Sequence, residues 1–304
     1  MQATAITLRV PATSANLGAG FDCLGLALDL FAEIVVTFGG PEPAPTEDVG
    51  EKMVLTAARH TFARLQKTPP PMRALYHVSV PLGRGMGASA VARVAGVLAA
   101  NEFEGRPLDE EACLALASDL EGHGDNACPA MFGGLQVCIQ AGDRYLHTAA
   151  AFPPEATLAL LVPDHSMPTK EARRVLPPSY AREEAVHNIG RAALFVAAMA
   201  ERRYDLLDEA TNDVIHQRQR AALFPPLFDV FAAAKGAGAH AAWLSGAGST
   251  VAAFCTGDDA RPVAAAMLET LKANAMTGRS LVTRIASAGA TVPRVELVDT
   301  AELR

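Results

Sequence analysis

The sequence predicts an α+β protein of two domains. Three observations carry that expectation. Short β-branched or alternating runs are interleaved with runs of helical period along all 304 residues. Neither half repeats strand and helix with the regular period of a barrel or a doubly wound sheet. The chain turns proline-rich and weakly patterned around 150–156, within AAAFPPEAT, which divides it into residues 1–153 and 154–304.

The elements follow in order. AITLRV (5–10) and EIVVTF (33–38) read as strands bounded by turn residues. Residues 51–67 place Val54, Ala58, Phe62 and Leu65 on one helical face, and the prolines at 69–71 stop that helix. LYHVSV (75–80) alternates as a half-buried strand, with His77 pointing away from the apolar side. Helices are expected over 88–103 and 109–121, the second with Asp109 as N-cap, and GLQVCIQ (134–140) alternates again. The second half opens with the strand TLALLV (157–162). Helical patterns follow at 182–201, 204–213 and 226–236, then strands at 240–245 and 250–255, a helix at 260–274 and a last strand at 294–299.

Half of the residues are hydrophobic, enough for a sizeable core, and the net charge is −7. That acidic balance argues against a nucleic-acid partner. It leaves an anionic ligand open, because a few placed arginines suffice. Five cysteines are scattered without C-x-x-C spacing, which reads as free thiols in a reducing compartment. The stretch MQATAITLRVPATSANLG lacks the pattern of a secretory signal, and no apolar run is long enough to span a bilayer. The expectation is a cytoplasmic protein with no membrane partner.

Four polar or glycine-rich stretches are candidates for chemistry. PLGRGMGASA (81–90) carries Gly83, Gly85 and Gly87 at the mouth of an alanine-rich helix. Free N–H groups at that helix start would suit an anion, and Ser89 in the first turn could reach a phosphate-bound metal. A plain capped turn has the same pattern, and the Walker lysine is missing. PATSANLGAGFDCLGLALDL (11–30) brackets its glycines with Asn16 and Asp22, which fits an ammonium or hydroxyl but also an ordinary turn. WLSGAGST (243–250) is either only a hairpin or a wall of the same phosphate pocket. LEGHGDNACPAMFGG (120–134) gathers Glu121, His123, Asp125 and Asn126 within six residues, past a helix end capped by Gly122. That group suits metal or proton chemistry but matches no zinc spacing. Farther on, Arg173 in MPTKEARRVLP and Arg220 in HQRQRAALFP could clamp a carboxylate, or lie on the surface.

In this order along nearly the whole chain, the stretches resemble the GHMP small-molecule kinases, and most closely the members that phosphorylate homoserine. VPATSANLGAGFDCLGLALDL, PLGRGMGASA, EGHGDNACPAMFGG, TKEARRVLP and LSGAGST carry the likeness. It implies a two-domain fold with a left-handed β-α-β crossover in the N-terminal ATP-binding domain and a ferredoxin-like C-terminal domain. It implies transfer of the ATP γ-phosphate to the hydroxyl of L-homoserine, for threonine synthesis, with ATP and Mg²⁺, in a homodimer. Pro81, Gly83, Gly85, Met86, Gly87, Ala88 and Ser89 would then line the triphosphate. Ser89 and Glu121 would hold Mg²⁺, with Asp119 as a fallback. Asn16, Asp22, His123 and Asp125 would surround the ammonium end and hydroxyl arm. Arg173 and Arg220 would take the carboxylate, Thr169 would lie near the substrate, and Asn126 would sit by the reacting hydroxyl. Asp125 is expected to bind ammonium rather than act as a base. Three residues depart from the family pattern: Ala88 for a serine, Gly124 for a proline and Ser249 for a proline. Gly124 is expected to loosen the loop beside Asp125. The competing readings are a GHMP kinase for another alcohol, such as mevalonate or shikimate, and a non-catalytic sensor of the same fold.

Overall fold

The computed structural model describes residues 2–77 and 81–299. The first sheet is antiparallel throughout. Its spine is the long pair β1 (Gln2–Ala15) and β2 (Leu24–Phe38). β1 does not stop at Val10 as the sequence suggests. It passes Pro11 through a shift of register between Pro11 and Thr13, the kind of break at which a strand tolerates a residue with no N–H. The second edge of β2 is shared. β3 (Met72–His77) covers its C-terminal half, and β4 (Leu135–Ala141) covers Leu24–Leu26. β5 (Arg144–Ala150) closes a hairpin with β4. Val78–Val80, which the alternation assigns to the third strand, lie outside the described residues; Tyr76 is buried and His77 exposed, as expected.

β3 and β4 both run antiparallel to β2, so they share a direction. The chain joins them through helices, preceded by α1 (Val49–Arg64) before β3. These are α2 (Ala88–Phe103), α3 (Glu110–Glu121) and α4 (Ala127–Phe132). The side chain of Asp109 caps α3 by accepting from the Ala112 N–H at 2.8 Å, and Gly122 ends it in the left-handed region. α2 is rich in alanine, and this lets it lie against both α1 and β1.

The second sheet holds β6 (Ala156–Pro163), β7 (Ala241–Leu244), β8 (Val251–Thr256) and β9 (Gly278–Arg284), in spatial order β7-β8-β6-β9 and all antiparallel. With α10 (Ala260–Ala273) between β8 and β9, this is the strand order of a ferredoxin-like layer. Between β6 and β7 run α5 (Thr169–Arg174), α6 (Arg182–Ala200), α7 (Leu207–Ala210), α8 (Gln217–Arg220) and α9 (Leu227–Gly236). Every residue of β6 is buried, which explains a sequence that is apolar apart from Thr157. Leu158 and Leu160 face the core shared with the first sheet; Ala159 and Leu161 face a second core under α9 and α10.

The last strand, β10 (Thr291–Asp299), returns to the first sheet and pairs with β1, from Gln2 opposite Asp299 to Arg9 opposite Thr291. The expected cut at 153/154 falls between β5 and β6, yet the C-terminal segment belongs by hydrogen bonding to the first sheet. Trp243, fully buried, donates from Nε1 to Ser14 Oγ at 3.0 Å and fastens the two sheets at the level of the glycine-rich loop.

Candidate active site

A cavity of about 370 Å³ opens where the two sheets meet. Its floor is the glycine-rich loop. Gly85 and Gly87 have φ of 74° and 69°, and neither has room for a side chain. A Cβ on Gly85 would lie 2.1 Å from the Ser245 carbonyl, and one on Gly87 would lie 1.8 Å from Thr13 Oγ1. The 245–250 turn does more than close a hairpin. Ser245 Oγ donates to the Gly85 carbonyl at 2.6 Å, and the Thr250 N–H donates to the Arg84 carbonyl at 3.0 Å. Gly87 is the N-cap of α2 and offers no side chain, so the first N–H groups of this 16-residue helix are open at the cavity. Ser89 stands in that first turn.

Of the residues expected along a triphosphate, Gly83, Gly85, Gly87, Ala88 and Ser89 line the cavity. Pro81 and Met86 do not. Met86 is 1 % exposed and packs into the core, while its carbonyl accepts from the Thr13 N–H at 3.1 Å. A methionine among glycines turns inward because the loop leaves it only the apolar side. Sequence reasoning missed Val49, Met53 and Leu82, which form an apolar patch beside the loop. It also missed Arg93. A lone arginine in an alanine-rich helix gives no local signal, although its spacing of four from Ser89 puts both on one helical face.

The opposite end of the cavity is charged. Asp22, held at φ of 57°, receives a two-pronged contact from Arg173: Nη1 to Oδ2 at 3.0 Å and Nη2 to Oδ1 at 2.7 Å. These partners are 151 residues apart in sequence. Burial works against the Arg173 cation, but Asp22 outweighs it and holds the guanidinium pKa above its usual value. Beside them His123 Nδ1 bonds Asp125 Oδ1, and Asp125 is 2 % exposed. Burial depresses the imidazole pKa, yet the Asp125 charge and hydrogen bond prevail, and the net shift is upward. Asn126 accepts from Thr13 Oγ1 at 2.8 Å, which turns its amide nitrogen toward Asp125 Oδ1, 3.3 Å away.

Asn16 and Arg220 converge on one acceptor. Asn16 Nδ2 donates to the Gly246 carbonyl at 2.8 Å, and Arg220 Nη1 donates to the same oxygen at 2.9 Å. Asn16 Oδ1 also accepts from the Asp22 N–H at 3.0 Å and so sets the turn that carries Asp22. Arg220 is 1 % exposed, far from a surface arginine. Burial and the neighbouring Arg173 charge push its pKa down to about 10, so it stays cationic at neutral pH. Thr169 lies on the wall at the start of α5.

Glu121 lines the cavity from the last turn of α3 and faces Arg93, with Oε1 and Nη1 2.8 Å apart. Ser89 and Glu121 are hard oxygen donors of the kind Mg²⁺ prefers. Glu121 Oε1 is buried against the Arg93 cation yet accepts no hydrogen bond, so its lone pairs are uncommitted and the donor chemistry of Ser89 and Glu121 fits a magnesium ion. Asp22, His123 and Asp125 form a second carboxylate–imidazole cluster. There Arg173 already pairs with Asp22, which leaves the cluster less negative charge to offer a metal.

The loop beside Asp125 is tightly filled despite Gly124. A Cβ on Gly124 would meet Cys138 Sγ at 2.5 Å and Tyr145 Cδ1 at 3.0 Å, so bulk from β4 and β5 occupies the space. Ser249 is buried and donates to the His165 carbonyl. All five cysteines are free thiols.

Comparison with known proteins gives a consistent answer. The family model described as the GHMP kinases N terminal domain matches residues 52–134, and that for the GHMP kinases C terminal matches 195–273. The homoserine kinase of Moorella thermoacetica is 40% identical over 260 residues, covering 82% of this chain and 87% of that protein. The homoserine kinase of Gloeobacter violaceus is 43% identical over 275 residues, covering 86% and 92%. The crystal structure of homoserine kinase from Cytophaga hutchinsonii superposes with a TM-score of 0.85 at 26% identity, covering 96% of this chain and 97% of that one.

Proposed function

The chain belongs to the GHMP kinase family, and from that premise we propose that it is a homoserine kinase, moving the γ-phosphoryl group of ATP to the hydroxyl of L-homoserine. The product is O-phospho-L-homoserine, on the way to threonine. One observation carries the substrate. A helix N-terminus cradled by glycines shares a cavity with an Asp22–Arg173 pair flanked by Asp125 and Arg220. Such paired opposite charges are a template for a zwitterion. The ammonium group would face Asp22 and Asp125, and the carboxylate would face Arg173 and Arg220. Mevalonate and shikimate lack an ammonium group and would leave the two carboxylates without a partner.

The nucleotide base would lie on Val49, Met53 and Leu82, with the triphosphate along Gly83, Gly85, Gly87 and Ala88, toward the N–H groups of α2. The Pro81 and Met86 contacts would be confined to the backbone path of the loop. Ser89 and Glu121 would hold Mg²⁺, which, when bound, neutralises charge on the phosphate oxygens. Asn126, fixed by Thr13, would orient the homoserine hydroxyl, and Asn16 and Thr169 would shape the pocket around it. His123 would hold Asp125 in place for the ammonium group. The hydroxyl oxygen bonds to the γ-phosphorus, the bond to the bridging oxygen breaks to release ADP, and the hydroxyl proton leaves late, to a phosphoryl oxygen. Such a loose transition state asks for positioning and charge neutralisation rather than a strong base.

In this reading residues 1–153, completed by β10, form the ATP-binding domain, and the rest of 154–304 forms the second domain. The protein would work as a cytoplasmic homodimer, consistent with its free thiols. No helix among the described residues is long and apolar enough to cross a membrane. The test is ADP release with MgATP and L-homoserine, mevalonate or shikimate. Release that requires L-homoserine supports the assignment; release with either other alcohol alone overturns the substrate.

A further inference from the structure

Among the described charged residues of the cavity, Arg93 is the one to which the kinase reading gives no role. It lies on α2 one turn after Ser89, with its side chain 21 % exposed, and reaches Glu121, whose side chain is 10 % exposed. The facing atoms, Nη1 and Oε1, are both buried, and their contact lacks the angles of a hydrogen bond, so both remain without a hydrogen-bond partner. Glu121 also ends α3, where the helix dipole opposes an anion. A carboxylate so placed needs a counter-charge, and Arg93 supplies it. The contact therefore supplies charge without the hydrogen-bond geometry that would lock it.

We propose that Arg93 is a displaceable counter-ion: it occupies Glu121 in the nucleotide-free protein and turns its guanidinium to the polyphosphate when the metal enters with nucleotide. The inference rests on the kinase reading, in which Ser89 and Glu121 take the metal. Two cations cannot share one buried carboxylate oxygen without strong repulsion. The planar fork of arginine matches phosphate oxygens, and the N-terminus of its own helix already faces them. Metal alone must evict Arg93 with nothing to receive it. Metal with nucleotide gives Arg93 a new partner. The two ligands are thereby coupled, and by linkage each favours the other equally.

The test uses Mn²⁺ as a spectroscopic probe of the metal position and a non-hydrolysable ATP analogue, with dissociation constants measured for wild type, Arg93→Gln and Arg93→Lys. In Arg93→Gln, Mn²⁺ alone should bind at least about tenfold tighter than in wild type, while the analogue with Mn²⁺ should bind at least about tenfold weaker, each change being about 1.4 kcal/mol. Arg93→Lys keeps the charge and loses the fork. It should hold off Mn²⁺ as wild type does, yet bind the analogue more weakly. Unchanged Mn²⁺ affinity in Arg93→Gln overturns the counter-ion. Wild-type analogue affinity in Arg93→Lys overturns the phosphate contact, and does so even if the glutamine variant fails to fold. Homoserine-dependent ADP release by wild type alongside either result leaves the kinase reading standing; its absence sinks that reading instead.

Discussion

Replacing His216 by asparagine should make this protein less sensitive to acid. His216 is fully buried, with Nε2 2.9 Å from the Gly18 carbonyl and Nδ1 3.1 Å from Arg220 Nη1. A guanidinium can only donate, so Nδ1 must accept, and the ring proton sits on Nε2 and donates to Gly18. The imidazole is therefore neutral, and a second proton would have to lie against the Arg220 cation. Asp213 Oδ2 is 3.8 Å from Nε2, but its carboxylate is already engaged by the N–H groups of Ile215, His216 and Gln217 and by Asn188. Burial pushes the pKa down from 6.5 to about 4, with Asp213 opposing and Arg220 reinforcing the shift. The folded-state value lies below the unfolded one, so this stability is complete above about pH 6.5 and is lost as the pH falls toward about 4. The drop corresponds to about 3 kcal/mol in all, of which roughly 2 kcal/mol is gone by pH 5. Urea unfolding of wild type and His216→Asn at pH 7.5 and pH 5.0 gives two differences. The wild-type difference should exceed the variant's by roughly 2 kcal/mol, and the cost of the lost hydrogen bonds cancels within the variant. Equal differences would mean that the buried ring does not govern acid stability, and the assigned tautomer would fall with it.

Other outcomes follow from the same geometry. Arg173→Ala should raise the KM for homoserine roughly 10- to 100-fold through a lost charge-assisted fork. Its denaturation midpoint should scarcely move, because the partly exposed pair contributes about 0–1 kcal/mol; an unchanged KM removes Arg173 from the clamp. Gly87→Ala should cost about 1–3 kcal/mol in unfolding free energy and weaken nucleotide binding, since its Cβ would displace Thr13 and release Asn126. Gly124→Ala should also cost about 1–3 kcal/mol, and Cys138→Ala should recover part of that loss, a coupling that a double-mutant cycle measures directly. Asp125→Asn should lower homoserine affinity at least about tenfold while leaving measurable turnover. Abolished turnover at unchanged affinity would make Asp125 the general base.

What could be read from the sequence was local. The Asp109 cap, the Gly122 stop and the span of α2 depend on residues within a turn of one another, and they lie where periodicity and capping chemistry put them. The phosphate loop was legible for the same reason, although nothing local told Met86 apart from its glycine neighbours. β5 and β9 escaped because they are partly exposed and lack a clean apolar alternation. α4 escaped because it is one short turn-and-a-half with Pro129 in its first turn, inside a stretch that reads as a polar loop. Asp22 and Arg220 each read as ambiguous in sequence. Only the fold brings Asp22 to Arg173 and buries Arg220 against Gly246, and no spacing rule reaches across such separations.

The pairing of β10 with β1 also sets an order of events during synthesis. Between Ala15 and Thr291 the ribosome must make every other described element, which takes roughly a quarter of a minute to a minute at bacterial to eukaryotic rates. Throughout that interval the outer edge of β1 has no neighbour, and an open strand edge invites foreign chains. The whole second sheet emerges within the gap, so its strands can assemble before the first sheet is sealed. A nascent chain released before Thr291 would carry the complete cavity wall yet leave that edge bare. Of the described strands, the one made last thus protects the one made first.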